Sequence, residues 1–228
     1  MTMPLAPELL EELRAFDSPT ICNAIEPFTV RDDTQGYLGM DVRCLTPELG
    51  VMLGYAITAT ADSVRPATPR DRRGQLRMYE AIAASPKPVV LVMKDVGGRP
   101  THACFLGDVM ATICSRLGAV GLVTDGGVRD LDGIRPLGFH MFAAGLVVAH
   151  GTLNILEVNV PVELSGVRIA PGDLIHGDAN GVTTIPPGIA DRLAAECRKG
   201  RERESTLKDY VHSRDFGLEG LRQRLLGA

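Results

Sequence analysis

Apolar residues recur at helical spacing from the start of the chain, with Leu9, Leu10, Leu13 and Phe16 on one face of residues 7–16. Ser18-Pro19 then reads as an N-cap with Pro at the first helical position, opening a short helix through Ile25. Residues 31–50 are turn-rich. Residues 51–60 form the first strand pattern, 65–73 a charged loop, and 74–84 a helix closed by Ser85-Pro86-Lys87-Pro88. Residues 89–93 are apolar at every position, as in a strand covered on both faces.

Strand and helix patterns then alternate through 89–93, 108–117, 120–124 and 130–137, which predicts parallel βαβ units. The character changes after that. The runs 140–143, 146–149, 159–162, 167–169, 174–176 and 182–185 are short, apolar and split by Gly, Pro and Asn, with no room for helices between them. A (β/α)8 barrel needs a helix after every strand and about 250 residues, so it is disfavoured. The expectation is an α/β layered sandwich. Residues 1–186 form the α/β domain with N-terminal helices, and 187–228 a charged helical tail of the same unit. No internal repeat is visible.

Composition narrows the function classes. The 228 residues are 45% hydrophobic and 23% charged, ordinary for a globular chain. A net charge of −4, scattered basic residues, no Trp and 4% aromatics argue against a nucleic-acid partner, which needs clustered cations or stacking platforms. The five cysteines, Cys22, Cys44, Cys104, Cys114 and Cys197, show no C-x-x-C pair and read as reduced, buried thiols. No signal peptide and no membrane-length apolar stretch is evident, so a cytoplasmic location and no membrane partner are expected.

The candidate chemistry lies in two segments, Gly107-Asp108-Val109-Met110-Ala111-Thr112 and Thr124-Asp125-Gly126-Gly127-Val128-Arg129-Asp130. Each places an acid where a loop enters a helix. Arg129-Asp130 follows an apolar strand through two glycines that let a ligand approach the backbone. Asp130 can ligate a metal while Arg129 reaches the same bound molecule; alternatively Asp130 caps its helix and Arg129 makes a surface ion pair. Asp108 is either an N-cap or a base that polarises a bound water. In the second case the amides of Val109 and Met110 are free to bind a substrate oxygen.

Other motifs are weaker. Residues 89–98 are only faintly like a methyltransferase glycine loop, and no G-x-G-x-x-G follows a strand. Lys94 at a strand end suits either a Schiff base or a snorkelling surface residue. His102, six residues before Asp108, lies within reach of a pocket or is a satisfied loop histidine. Residues 36–39 and 70–73 are candidate lining segments without an identified ligand. No H-E-x-x-H or G-x-S-x-G motif is present.

The two segments at 107–112 and 125–130 resemble the 4-hydroxy-4-methyl-2-oxoglutarate aldolase/RraA-like family, as do Glu157-Val158-Asn159-Val160-Pro161-Val162, Pro171-Gly172-Asp173 and Asp178-Ala179-Asn180-Gly181-Val182. The resemblance spans residues 18–186. It implies a swivelling β/β/α-type sandwich and a metal-dependent pyruvate aldolase or oxaloacetate decarboxylase acting on small 2-oxo acids. By the same resemblance Asp130 ligates Mg²⁺ or Mn²⁺, Arg129 contacts the pyruvyl oxygen, and Asp108 orients the water that shuttles a proton. Gly107, Val109 and Met110 complete the substrate-binding set. A homotrimer or dimer of trimers is also implied, with Glu202 or Glu204 of the tail as candidates to complete a neighbouring site. The family includes inhibitors of ribonuclease E as well. Those generally carry Glu where this chain has Asp108, which leans the reading toward the enzymes.

Overall fold

The computed structural model describes residues 4–62 and 71–226. Most of the charged loop expected at 65–73 therefore lies outside the described residues. The chain opens with helices α1 (Pro7–Arg14) and α2 (Ser18–Ile25), then strands β1 (Arg43–Cys44) and β2 (Met52–Asp62). Helix α3 (Arg72–Ala84), β3 (Val89–Asp95), β4 (Cys104–Leu106), α4 (Asp108–Arg116), β5 (Ala119–Thr124), β6 (Gly127–Val128) and α5 (Leu131–Ile134) follow. Seven short strands come next: β7 (His140–Ala143), β8 (Gly145–Leu146), β9 (Asn154–Val158), β10 (Val162–Leu164), β11 (Val167–Ile169), β12 (Leu174–Asp178) and β13 (Gly181–Ile185). Helices α6 (Ala190–His212) and α7 (Leu218–Leu226) end the chain.

The main sheet runs β1-β7-β5-β3-β2-β12-β13, with β9 added to β2. Its centre is parallel, β2 to β3 to β5 to β7, as the βαβ pattern predicts. β1, β9, β12 and β13 pair antiparallel to their neighbours, which no (β/α)8 barrel allows. A second, small parallel sheet, β4-β6-β8, stands apart from the first. β10 and β11 form a hairpin.

The central strand β3 shows why the layers hold. Val89, Leu91 and Met93 face one core with Met78 and Ile82 of α3 and Ala111 and Cys114 of α4. Val90 and Val92 face the opposite core, with Val162, Leu164, Val167 and Ile169 of the hairpin. Period-two alternation thus sends every side chain of an all-apolar run into one core or the other. A third cluster packs Leu13, Ile21, Leu193, Ala194 and Cys197 of α1, α2 and α6 over Leu53, Tyr55, Leu174 and Ile185. The result is the expected α/β/β layering.

Several expectations shift. Asp17, not Ser18, caps α2: its carboxylate accepts from Thr20 N–H at 2.7 Å. The strand expected at 159–162 is instead the link between β9 and β10, with only Val162 in a strand, because Asn159 turns the chain with φ 58°. The run 146–149 shrinks to the two-residue β8. The helix expected at 130–137 is only α5, followed by a 3-10 turn Arg135–Leu137 in which Pro136 removes an amide donor. Among the described residues no helix is long and apolar enough to cross a membrane.

Ser18 has a different task from capping. Its hydroxyl meets His176 Nδ1 at 2.9 Å, and its amide donates to Asp178 Oδ2 at 2.8 Å, tying α2 to β12. Burial of His176 and of His140 lowers each imidazole from 6.5 to about 4. Both histidines stay neutral in the folded state while the unfolded chain still binds protons. The contribution of these two groups to stability is therefore complete above pH 6.5 and is lost progressively as pH falls toward about 4. Melting temperatures measured from pH 7 to pH 4 are expected to fall, with a shallower slope in His176→Asn; a flat wild-type profile contradicts the assignment.

Candidate functional site

Two helices begin beside each other because two short parallel strands end beside each other. Leu106 of β4 stands opposite Val128 of β6, and the Arg129 amide donates to the Leu106 carbonyl at 3.2 Å. β8 flanks β6 on its other side, with Val147 N–H donating to Val128 O at 3.0 Å. Gly107-Asp108 and Arg129-Asp130 thus leave the carboxyl ends of adjacent parallel strands, the usual place for ligands in α/β sheets.

Gly107 is the seat of this arrangement. A Cβ here would lie 2.6 Å from Asp130 Oδ2 and 3.2 Å from Arg129 Nε, so a side chain would displace the pair. Gly126 and Gly127 serve packing instead. A Cβ on Gly126 would fall 2.1 Å from the Phe105 ring, and one on Gly127 2.6 Å from Val147. The expectation that this glycine pair admits a ligand is corrected; it lets β6 close against β4 and β8.

Asp130 occupies the N-cap position of α5 yet makes no side-chain cap, and its backbone is left-handed, φ 60° and ψ 36°. Its carbonyl, not its carboxylate, takes the Gly133 and Ile134 amides, at 3.0 and 3.1 Å. The carboxylate faces Arg129, with Oδ2 3.1 Å from Nε. The capping half of the alternative is thereby overturned, while its other half holds: Arg129 makes an ion pair, with Asp130 itself. The contact with Arg129 is one of charge alone, because the buried Nε–H has no hydrogen-bond partner. Arg129 Nη1 donates to Val148 O at 3.4 Å. The guanidinium is anchored at one end and retains an unspent donor beside the carboxylate.

Asp108 is the first residue of α4, and Gly107 takes the N-cap position, so Asp108 is not the cap either. Its Oδ1 accepts from Val109 N–H at 2.7 Å. The expected pair of free amides is corrected to one, since Val109 N–H is engaged and Met110 N–H is the remaining first-turn donor. Asp108 lies against α5, where a Cβ on Gly133 would be 3.1 Å from its own Cβ. All three charged residues therefore surround one turn.

Gly107, Asp108, Val109, Met110 and Arg129 line a cavity of about 470 Å³, within the size range of small-molecule sites. Its walls are largely apolar, with Phe105, Leu106, Ile113 and Leu153, and α3 contributes Arg72, Gln75 and Tyr79. Cys104 also lines it, with its thiol pushed up by burial and so held protonated. His102 is exposed on a 3-10 turn outside the cavity; His150, which no motif marked, lines it instead. Lys94 is neither a snorkelling residue nor a cavity amine. It forms an ion pair with buried Asp125, whose Oδ1 also accepts from Asp95 N–H at 3.0 Å. Residues 37 and 38 line a separate 140 Å³ cleft with Ser18 and Asn180. Glu202 and Glu204 are exposed on α6, Glu204 pairing with Lys208 at 3.3 Å.

A family model described as Aldolase/RraA matches residues 17–184, more than half of the chain. The chain belongs to the RraA-like family. Among RraA-like relatives, a Halalkalibacterium halodurans protein provisionally named 4-hydroxy-4-methyl-2-oxoglutarate aldolase is 37% identical over 139 residues, 59% of this chain and 63% of its own. The Legionella pneumophila protein DlpA is 32% identical over 166 residues, 65% of this chain and 27% of its own. The chain thus spans less than two thirds of either relative. Among solved structures, an uncharacterised Pseudomonas syringae pv. tomato protein superposes with TM-score 0.76 at 21% identity, covering 100% of this chain and 97% of that one. Streptomyces coelicolor RraAS2, described as an unusual member of the RNase ES inhibitor RraA protein family, gives 0.71 at 23% identity, over 90% of this chain and 98% of its own. At these identities the likeness is one of fold.

The left-handed Asp130 backbone generates a test. L-residues other than Gly pay roughly 1–2 kcal/mol in that region. If the carboxylate has no structural role, Asp130→Gly leaves the melting temperature unchanged or raises it by up to about 4 °C. A fall of similar size would show that the carboxylate holds the loop.

Proposed function

We propose that this RraA-like chain is a divalent-metal-dependent carbon–carbon lyase. It cleaves 4-hydroxy-2-oxo acids such as 4-hydroxy-4-methyl-2-oxoglutarate to pyruvate, decarboxylates oxaloacetate, or does both. The observation that carries this reading is the Gly107 seat, which sets Arg129 and Asp130 against the turn that leads to Asp108; Arg129 and Asp108 line the cavity, and Asp130 stands behind Arg129 without lining it.

The residues fit a hard cation. Asp130 offers a carboxylate spent on no cap, and the nearby thiol of Cys104 is held protonated. Among the described residues no cluster of three or more His, Cys, Asp or Glu gathers, so the fit is to an ion that keeps most of its water. Mg²⁺ behaves this way, and Mn²⁺ accepts the same oxygen donors. When bound, the metal supplies Lewis-acid polarisation of the keto oxygen.

The chain's own residues do the rest. Arg129 directs the fixed charge of its guanidinium at the C2 oxygen, where negative charge accumulates. In the retro-aldol direction, the C4 hydroxyl proton passes to a water held by Asp108. The C4 oxygen electrons form the product carbonyl, the C3–C4 bond breaks, its electron pair becomes the C2–C3 double bond, and the C2 carbonyl pair moves onto the oxygen as an enolate. The same water returns a proton to C3, which becomes the methyl group of pyruvate. Met110 N–H is the backbone donor available to the substrate carboxylate. We propose further that copies assemble as a homotrimer or dimer of trimers, with Glu202 or Glu204 on the outward face of α6 available to a neighbouring site. A non-catalytic regulator that binds a ribonuclease is the alternative; its support is likeness of fold to the Streptomyces protein.

Pyruvate release from oxaloacetate and from 4-hydroxy-4-methyl-2-oxoglutarate tests the proposal. Activity is expected with Mg²⁺ and lost after chelation, and Arg129→Ala is expected to lower turnover on the order of 10²-fold or more. Equal rates before and after metal removal refute the metal mechanism. No lyase activity together with tight ribonuclease binding supports the regulator.

A further inference from the structure

β3 and β5 lie side by side in the parallel centre of the main sheet, and their last paired residues are Met93 and Thr124. One residue further along each strand stand Lys94 and Asp125. Side chains alternate along a strand, so these two project from the face that carries Val92 and Val123 and meet at the edge of that core. Lys94 Nζ binds Asp125 Oδ2, and Asp125 Oδ1 accepts from Asp95 N–H at 3.0 Å. Both carboxylate oxygens are therefore committed to β3. The Asp125 side chain is 9% exposed, against 33% for Lys94, so the cation offsets a charge largely removed from water.

Asp125 is also where the chain leaves the main sheet. Gly126 N–H donates to Thr124 Oγ1 at 3.0 Å, and Gly126 O accepts from Ala144 N–H at 3.0 Å. Gly127 N–H then donates to Ala103 O at 3.1 Å, and Gly127-Val128 is already β6 of the small sheet. The crossing takes two residues. Both are glycines closed against Phe105 and Val147, which leaves no slack between the sheets. Arg129 comes four residues after Asp125, at most about 14 Å of extended chain. A tether this short and this fully bonded carries a displacement at Asp125 through to Arg129.

We infer that Lys94 and Asp125 are a positioning pair, whose bond across the ends of β3 and β5 fixes where Arg129 and Asp130 stand. This rests on the reading that Arg129 and Asp130 carry the reaction, but the placement itself is measurable without turnover. An ion pair that only stabilised the sheet would act on every strand alike.

Amide hydrogen exchange of the full-length chain, followed by mass spectrometry, reads the placement, and pyruvate release from oxaloacetate in MgCl2 reads its consequence. In Lys94→Met, exchange over 126–134 is expected to quicken about tenfold or more and to stay within about twofold in β2 and α6. kcat is expected to fall about tenfold or more with KM within about threefold, because a displaced guanidinium is missed most in the transition state. Lys94→Arg is expected to restore both. The double variant Lys94→Met/Asp125→Asn removes the unpaired buried charge, and it serves also where Lys94→Met fails to fold. Its melting temperature is expected to recover towards wild type while 126–134 remains fast. The inference is overturned by an exchange increase shared equally across the main sheet, by a 126–134 segment as slow as wild type in the double variant, or by unchanged turnover in Lys94→Met. The last result leaves the proposed reaction standing. Quickened exchange confined to 126–134 in a chain without lyase activity refutes that reaction and leaves the positioning assignment in place.

Discussion

The parallel pairing of β4 with β6 is the constraint on which the candidate site depends. One backbone hydrogen bond, from the Arg129 amide to the Leu106 carbonyl, sets two loop ends in register. The missing side chain at Gly107 then allows Asp130 and Arg129 to cross the turn. The two charges face each other, yet the carboxylate caps nothing and the guanidinium Nε–H finds no hydrogen-bond acceptor. Backbone geometry holds the charges together and leaves them incompletely satisfied.

The large features of the fold were legible in the residues. β3 announced itself because a strand covered on both faces needs apolar side chains at every position, and the helix–strand alternation around it predicts the parallel centre. β6 and β8 were not legible. Two residues carry no periodicity, and Gly127-Val128 and Gly145-Leu146 become strands only through their neighbours. β9 was missed and the link after it read as a strand, since Asn159 is a turn residue lodged in an apolar run.

The same limit applied to the site. Arg129, Asp130 and Asp108 were marked by type and position, but an Asp at a helix start has two uses that sequence alone does not separate. The left-handed backbone of Asp130 and the placement of Gly107 at the N-cap exclude the capping use of either carboxylate. Gly126-Gly127 carried the opposite error, because a glycine that yields to the Phe105 ring looks the same in sequence as one that yields to a ligand. The contribution of α3 came from tertiary packing, which brings a helix from before the central strand to face the loop after β6.

That the candidate site sits at the end of a three-strand annexe, rather than on the principal sheet, separates it from the main architecture. The three apolar cores exclude Gly107, Asp108, Arg129 and Asp130. Substitutions at these positions leave the packing of all three cores untouched. A frame built this way can lose or exchange a surface site without being repacked, which offers one physical route by which unlike functions come to share a single architecture.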